Sequence, residues 1–152
     1  MNKINLLLVE DDDDHARLVQ RSLDRHPATF KVVRARDGVQ ALKHLQNSEL
    51  AVSDRTNLIL MDLKLPRKGG LEVLEEIRKN PVLTRLPVVI LTTSSADIDR
   101  AKAYDHHANS YLLKPIEFTH FRSVIDQFAN YWGDWNQNPP TELVAESIDE
   151  PS

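Results

Sequence analysis

Two apolar runs in this chain break into acid at their ends. Leu6-Leu-Leu-Val-Glu10-Asp11 does so after four aliphatic residues, and Asn57-Leu-Ile-Leu-Met-Asp62 finishes on a single carboxylate. Apolar strands that end this way at the carboxyl edge of a parallel sheet stand where open α/β folds bind ligands. If the two strands are neighbours, Glu10, Asp11 and Asp62 share one rim. At about 4 Å and an effective dielectric near 20, each like-charge pair costs roughly 4 kcal/mol. Such a cluster must take up protons or hold a cation. Oxygen-only, partly hydrated ligation suits Mg²⁺, often alongside a phosphoryl group. Glu10 also heads a run of five acids. A helix N-terminus, whose dipole and free amides favour carboxylates, accounts for Asp12, Asp13 and Asp14.

Two further strand ends carry polar groups. Thr92 follows Val88-Val-Ile-Leu91, and Lys114 follows Tyr111-Leu-Leu113. Alone, each has an ordinary explanation: a β-branched residue suits a strand, and most lysines are solvated. Together, carboxylates, a hydroxyl and an ammonium all fall at the carboxyl ends of separate strands, hence on one edge. Lys114, Thr92 and loop amides supply the donors an anion needs beside a cation. Asp62 can then act as a nucleophile and form an aspartyl phosphate. Mg²⁺ and Lys114 would offset charge on the transferring phosphoryl oxygens.

The elements that must position these groups are legible as well. Ile4–Val9, Phe30–Ala35, Leu58–Met61, Val88–Thr92 and Ser110–Leu113 lack period-2 alternation and read as buried parallel strands. Helical spacing marks His15–Arg25, Val39–Leu45, Leu71–Arg78, Ala96–His106 and, longest, Glu117–Trp135. Asp37-Gly38 and Gly69-Gly70 open the second and third helices, and Asn80-Pro81 closes the third. Strict strand-then-helix alternation predicts an α/β fold, a doubly wound five-stranded parallel sheet with helices on both faces and an extended C-terminal helix. One domain is expected over 1–135. Residues 136–152 form an acidic, proline-containing tail with no period, expected to be disordered, although Val144 and Ile148 could form a helical turn against a partner.

Composition narrows the function classes. Of 152 residues, 41% are hydrophobic and 28% charged, an ordinary globular mixture. A net charge of −4 without a Lys/Arg run leaves no footprint for nucleic acid. The absence of cysteine excludes disulfides, thiol chemistry and cysteine-ligated zinc. Apolar runs are strand-length, too short to span a membrane. The N-terminus enters a strand directly, leaving no room for a signal peptide, so a cytoplasmic location is expected. The six histidines show no spacing that reads as a metal site or relay.

Four motifs then coincide: Val9-Glu10-Asp11, Leu60-Met-Asp62-Leu-Lys-Leu-Pro66 with Gly70, Leu91-Thr-Thr-Ser94, and Tyr111-Leu-Leu-Lys114-Pro115. Over roughly residues 4–132 the chain resembles a response-regulator receiver domain, the phosphoacceptor half of two-component signalling, with a flavodoxin/CheY-like fold. The resemblance implies Asp62 as phosphoacceptor and Asp11 and Asp62 as direct Mg²⁺ ligands. It implies Glu10 acting through a metal-bound water, the Lys64 backbone carbonyl as a further ligand, and Thr92 and Lys114 on the phosphoryl oxygens. Thr92 and Tyr111 would be the switch pair, the Lys114–Pro115 bond would be cis, and Lys64 and Ser94 would sit where family members tune hydrolysis of the aspartyl phosphate. Such a domain assists its own phosphorylation and dephosphorylation without being an enzyme for another substrate. Many receivers carry two aspartates where this chain has Glu10-Asp11.

Other classes fit less well. An aspartyl-phosphate hydrolase places a second acid two residues after the nucleophile, and here that residue is Lys64. A flavin-binding module needs a phosphate loop after the first strand, where this chain carries five acids. A receiver-like interaction scaffold that is never phosphorylated is the remaining alternative.

No DNA-binding or enzymatic segment follows the last helix, so output through protein contacts is expected. Phe118, Phe121, Ile125, Phe128, Trp132 and Trp135 are spaced as in a coiled-coil seam. Packing onto the sheet accounts for Phe118 to Ile125. Eighteen helical residues span about 27 Å against roughly 17 Å for a five-residue strand. The last turns should therefore overhang and expose aromatics. A homodimer through the last helix is expected, with Phe128, Tyr131, Trp132 and Trp135 at the interface. Asn80-Pro-Val-Leu-Thr-Arg-Leu-Pro87, the Leu91-Thr-Thr-Ser94 ending and the aromatic last helix resemble the small single-domain regulators paired with cyanobacterial phytochromes. That resemblance implies a light-regulated histidine kinase as partner.

Overall fold

Each aliphatic run forms a strand and each amphipathic run a helix in the computed structural model, which describes residues 3–140. The strands are β1 (Lys3–Val9), β2 (Thr29–Ala35), β3 (Leu58–Met61), β4 (Val88–Thr92) and β5 (Ser110–Leu113). The helices are α1 (Asp13–Asp24), α2 (Gly38–Leu45), α3 (Gly70–Lys79), α4 (Asp97–Asp105) and α5 (Phe118–Asn130). Asp12 caps α1 by accepting the Asp14 and His15 amides, and Asp37 caps α2 through the Gln40 amide. These caps satisfy amides that the first helical turn leaves without partners.

The sheet is all parallel in the order β2-β1-β3-β4-β5. The chain builds outward from β1 to β2, then restarts on the other side at β3. That reversal opens a crevice at the carboxyl ends of β1 and β3. Register makes the crevice acidic: Val9 pairs with Met61, so the next residues, Glu10 and Asp62, leave the sheet side by side. Thr92 pairs with Leu113, which brings Lys114 to the same rim.

Side-chain alternation splits the core in two. Leu7, Val9, Ile59, Met61, Val88 and Ile90 face α2, α3 and α4, with Val73, Leu74 and Ile77 from α3. Leu6, Leu8, Leu58, Leu60, Val89 and Leu91 face α1 and α5, with Val19, Leu23, Phe121 and Ile125. The central strands β1, β3 and β4 are buried almost throughout, as their unbroken apolar runs require. β2 differs from the buried strand read in its sequence. It is an edge strand whose exposure alternates along Thr29–Ala35, because only one of its faces is covered.

The far end of the molecule corrects the sequence reading. Phe121, Ile125, Phe128 and Trp132 are buried, whereas Phe118 is 58% exposed rather than packed on the sheet. Trp132 is only 7% exposed, while Tyr131 and Trp135 are at the surface. Of the three aromatics expected to overhang, Tyr131 and Trp135 are exposed as read and Trp132 alone is buried, for two reasons. β1 and β2 have seven residues each, about 23 Å of strand rather than 17 Å. The helix also widens into a π turn over Tyr131–Trp135, closed by the Asn136 amide on the Tyr131 carbonyl at 2.7 Å. Trp132, four residues after Phe128, lies on the same buried face of the helix, with ring centroids 6.5 Å apart. Gly133 faces Ala28 and Phe30 so closely that a Cβ there would lie 3.0 Å from the Ala28 methyl. His26 ties the same junction, accepting the Ala28 amide at Nδ1 and donating from Nε2 to Asn130 Oδ1 at 2.9 Å.

Residues 136–140 continue without regular structure, and the expected helical turn at Val144 and Ile148 lies outside the described residues. Among the described residues no helix is long and apolar enough to cross a membrane.

Burial separates the two tryptophans energetically. Trp132→Ala should cost about 3–5 kcal/mol of stability, and Trp135→Ala should stay within roughly 0.5 kcal/mol of wild type. Urea denaturation of both variants checks the pair.

Candidate functional site

The five consecutive acids divide into two groups once the chain folds. Asp12 is the α1 cap. Asp13 takes Arg34 at 2.8 Å and Arg36 at 2.7 Å, and those partners, Arg34 first, hold its carboxyl below the usual aspartate range. Asp14 pairs with Arg17. Glu10 and Asp11, which precede the helix, are left facing Asp62. Carboxylate oxygens of these three residues lie within 4.8 Å of one another. Glu10 and Asp62 are buried, and Asp11 is exposed at the mouth.

Lys114 supplies the rim's one buried cation. Its Nζ donates to Glu10 Oε1 at 2.5 Å and to Asp62 Oδ2 at 2.7 Å, with all three side chains nearly inaccessible. The Lys64 amide approaches Asp62 Oδ1 at 3.3 Å, and the Asp12 amide reaches Glu10 Oε2 at 3.2 Å. The Glu10 backbone is fixed as well, its amide on the Ala35 carbonyl and its own carbonyl on Arg34 Nε.

The charges are incompletely matched. Burial pushes the Glu10 carboxyl above its ordinary range; the Lys114 hydrogen bond and charge oppose this, and the Asp62 charge adds to it. For Lys114 burial acts first and downward, but hydrogen bonds to Asp62 and Glu10 with their charges outweigh it and raise the ammonium above the ordinary lysine value. Three carboxylates against one ammonium leave two negative charges when all are ionised. Hard oxygen donors with that excess fit a divalent cation such as Mg²⁺ or Mn²⁺.

A glycine closes the wall behind Asp62. A Cβ on Gly70 would lie 2.3 Å from the Asp62 carbonyl oxygen, so the start of α3 can approach the strand end only without a side chain. The loop between them also holds Arg67 at a φ of 66°, its guanidinium on Asp37 at 3.3 Å.

Thr92 is fully buried at the end of β4, its Oγ1 accepting the Ser94 amide at 3.3 Å. Tyr111 is half-buried on β5, and its hydroxyl donates to the Ser94 carbonyl at 2.9 Å. Both side chains therefore grip one residue of the β4–α4 loop, whose own hydroxyl donates to Asp99. Lys64 has an exposed side chain beyond Asp62. The Lys114–Pro115 bond is trans, not cis as the family resemblance implies.

One residue of the rim escaped the sequence reading. His15 Nδ1 lies 3.0 Å from Lys114 Nζ. No spacing rule could have found it, because it reaches the site from the first turn of α1, across 99 residues.

Of the residues read from sequence, Glu10, Asp11, Asp62 and Lys114 converge in direct contact or near contact. Thr92 and Tyr111 meet at Ser94. Phe128 and Trp132, expected at a dimer interface, are instead core residues of the α1–α5 face, since the last turn folds inward.

Comparison with known proteins agrees with this architecture. Residues 6–126 match the response regulator receiver domain family model. A probable methanogenesis regulatory protein, FilR2, of Methanothrix harundinacea is 40% identical over 88% of this chain and 86% of its own length. Response regulator Rcp1 of Synechocystis is 41% identical over 84% of this chain and 87% of its own. The Mn²⁺-bound form of Rcp1 superposes with a TM-score of 0.84, covering 90% of this chain and 99% of the other at 38% identity. The phosphorylated cyanobacterial phytochrome response regulator RcpA gives 0.85 at 36% identity, over 91% of this chain and all of the other. The acidic rim at the sheet's reversal point, its buried lysine and these likenesses lead to one assignment: the chain belongs to the response regulator receiver domain family of two-component signalling.

Proposed function

We propose that this receiver accepts a phosphoryl group from a sensor histidine kinase on Asp62 and signals through protein contacts. The observation that carries the reading is the setting of Asp62, a buried carboxylate in the crevice with Lys114 on one oxygen and the Lys64 amide on the other. An Asp62 oxygen forms the new O–P bond as the donor's P–N bond breaks, and the departing imidazole nitrogen keeps the electron pair and takes up a proton. Lys114, already aimed at Asp62, donates to a phosphoryl oxygen, and the Thr92 hydroxyl supplies a second contact. Asp11 and Asp62 would hold Mg²⁺ directly, Glu10 through a water, and the Lys64 carbonyl would complete the protein ligands. When bound, the ion supplies positive charge to the carboxylates and the phosphoryl oxygens. The same groups let the domain assist its own phosphorylation and dephosphorylation.

Thr92 and Tyr111 form the switch. A Thr92 hydroxyl drawn to the phosphoryl group releases the Ser94 amide, which loosens the loop that Tyr111 holds by the Ser94 carbonyl. Likeness to RcpA, a phytochrome response regulator, supports a phytochrome as the kinase.

The output surface is apolar. Among the described residues Ile98, Tyr104, Leu113, Ile116 and Phe118 are exposed on α4, β5 and the start of α5, and Tyr131 and Trp135 are exposed at the end of the last helix. Large exposed aromatics mark interfaces, and Tyr131 and Trp135 support homodimerisation through the end of the last helix.

Three outcomes test these assignments. Incubation with Mg²⁺ and acetyl phosphate should add one phosphoryl group by intact mass, absent in Asp62→Asn and with EDTA; absence from wild type, with no beryllofluoride bound either, would remove the phosphoacceptor role. The second concerns pH. A carboxyl raised on folding binds more protons in the folded state, so Glu10's contribution to stability falls as pH rises above 4.5 through its elevated folded value. In metal-free protein Glu10→Gln should therefore gain melting temperature relative to wild type between pH 4.5 and 7, and should respond less to added Mg²⁺. Third, Tyr131→Ala combined with Trp135→Ala should shift the mass seen by light scattering from dimer to monomer while thermal stability holds; a monomeric wild type would sink the dimer.

A further inference from the structure

We infer that His15 is a positioning residue for phosphoryl transfer, holding the Lys114 ammonium in place through its Nδ1. The inference rests on Asp62 being the phosphoacceptor.

A lysine ammonium has three N–H donors and no acceptor. At Lys114 the three acceptors in reach are Glu10 Oε1, Asp62 Oδ2 and His15 Nδ1, at 2.5, 2.7 and 3.0 Å. The side chain is nearly inaccessible, so the imidazole stands where water would otherwise have to serve. Because the ammonium only donates, Nδ1 presents its lone pair and the ring proton sits on Nε2. The ring is itself held. Its backbone amide is bound by the Asp12 cap at 3.0 Å, and its ring packs against Phe121, tilted by 35° with centroids 5.4 Å apart. α1 and α5 thus fix an acceptor against a lysine delivered by β5.

The chemistry gives this third acceptor a specific task. When Asp62 becomes an acyl phosphate its carboxylate charge is lost, and Lys114 must turn one N–H from Asp62 to a phosphoryl oxygen. With Glu10 and His15 keeping the other two donors, only that N–H is free to move, and it already points to the acceptor. Without His15 the ammonium has two charged acceptors and one unassigned donor, and its position is no longer determined on the α1 side. The effect belongs to the transition state, since a small donor can bind before Lys114 reorients.

The test separates the lone pair from the ring. His15→Phe keeps an aromatic ring on Phe121 and removes the acceptor. His15→Leu removes both, and His15→Asn places an amide oxygen near the position of Nδ1. Phosphorylation by acetyl phosphate with saturating Mg²⁺ should be about tenfold slower at saturating donor for His15→Phe and His15→Leu, the scale of one hydrogen bond to a charged group. Half-saturating donor concentration should change less than twofold, and His15→Asn should recover most of the rate. Rates for His15→Phe and His15→Leu within twofold of wild type, or an Asn variant as slow as Leu, would overturn the positioning role. Failure of wild type itself to be phosphorylated would instead remove the Asp62 reading beneath it.

Discussion

A single ammonium bridging two buried carboxylates sets the terms for the rest of this molecule. Lys114 touches both Glu10 and Asp62, and Asp11 adds a third negative charge at the mouth. Removing Lys114 from such a cluster would leave the buried carboxylates uncompensated. Even the complete set is strained electrostatically, because burial raises Glu10 while Lys114 draws it back. Elements elsewhere in the chain must hold this arrangement closed. The two-sided core of Leu, Ile and Val on β1, β3 and β4 provides that support, as apolar burial is the dominant favourable contribution to folding.

The topology does the positioning. In a parallel sheet every strand delivers its last residue to one edge, and the reversal between β1 and β3 leaves that edge uncovered where Glu10 and Asp62 emerge. Fine placement then comes from backbone. Gly70 lets α3 start against the Asp62 carbonyl, and the Ser94 peptide links Thr92 with Tyr111. A change at Thr92 can therefore reach Tyr111 on β5 through one peptide unit rather than through side-chain packing alone.

The last helix divides its aromatic residues between support and surface. Phe121, Ile125, Phe128 and Trp132 close one core, and Phe118, Tyr131 and Trp135 stay outside it. Trp132 follows Phe128 by one helical turn on the buried face, and Gly133 lets the final turn close against Ala28 and Phe30. The same helix contributes Phe121 to the packing of His15, so the core behind the site and the proposed contact surface share an element.

The amino-acid sequence by itself determined the five strands almost to the residue, the five helices, the caps at Asp12 and Asp37, and the chemistry of the rim at Glu10, Asp11, Asp62, Thr92 and Lys114. These are legible because aliphatic runs, capping residues and polar strand ends act locally, and a parallel sheet sends all strand ends to one side. What depends on distance across the fold was not legible. Whether Trp132 is core or surface depends on how α5 ends against Ala28 and Phe30, about a hundred residues earlier in the chain. Whether β2 is central or an edge strand depends on sheet order, which no single strand encodes. His15 meets Lys114 only when α1 packs on α5, so its place beside the ammonium was decided by the tertiary structure alone: local spacing records which face of a helix is apolar, but not which buried charge that face will meet.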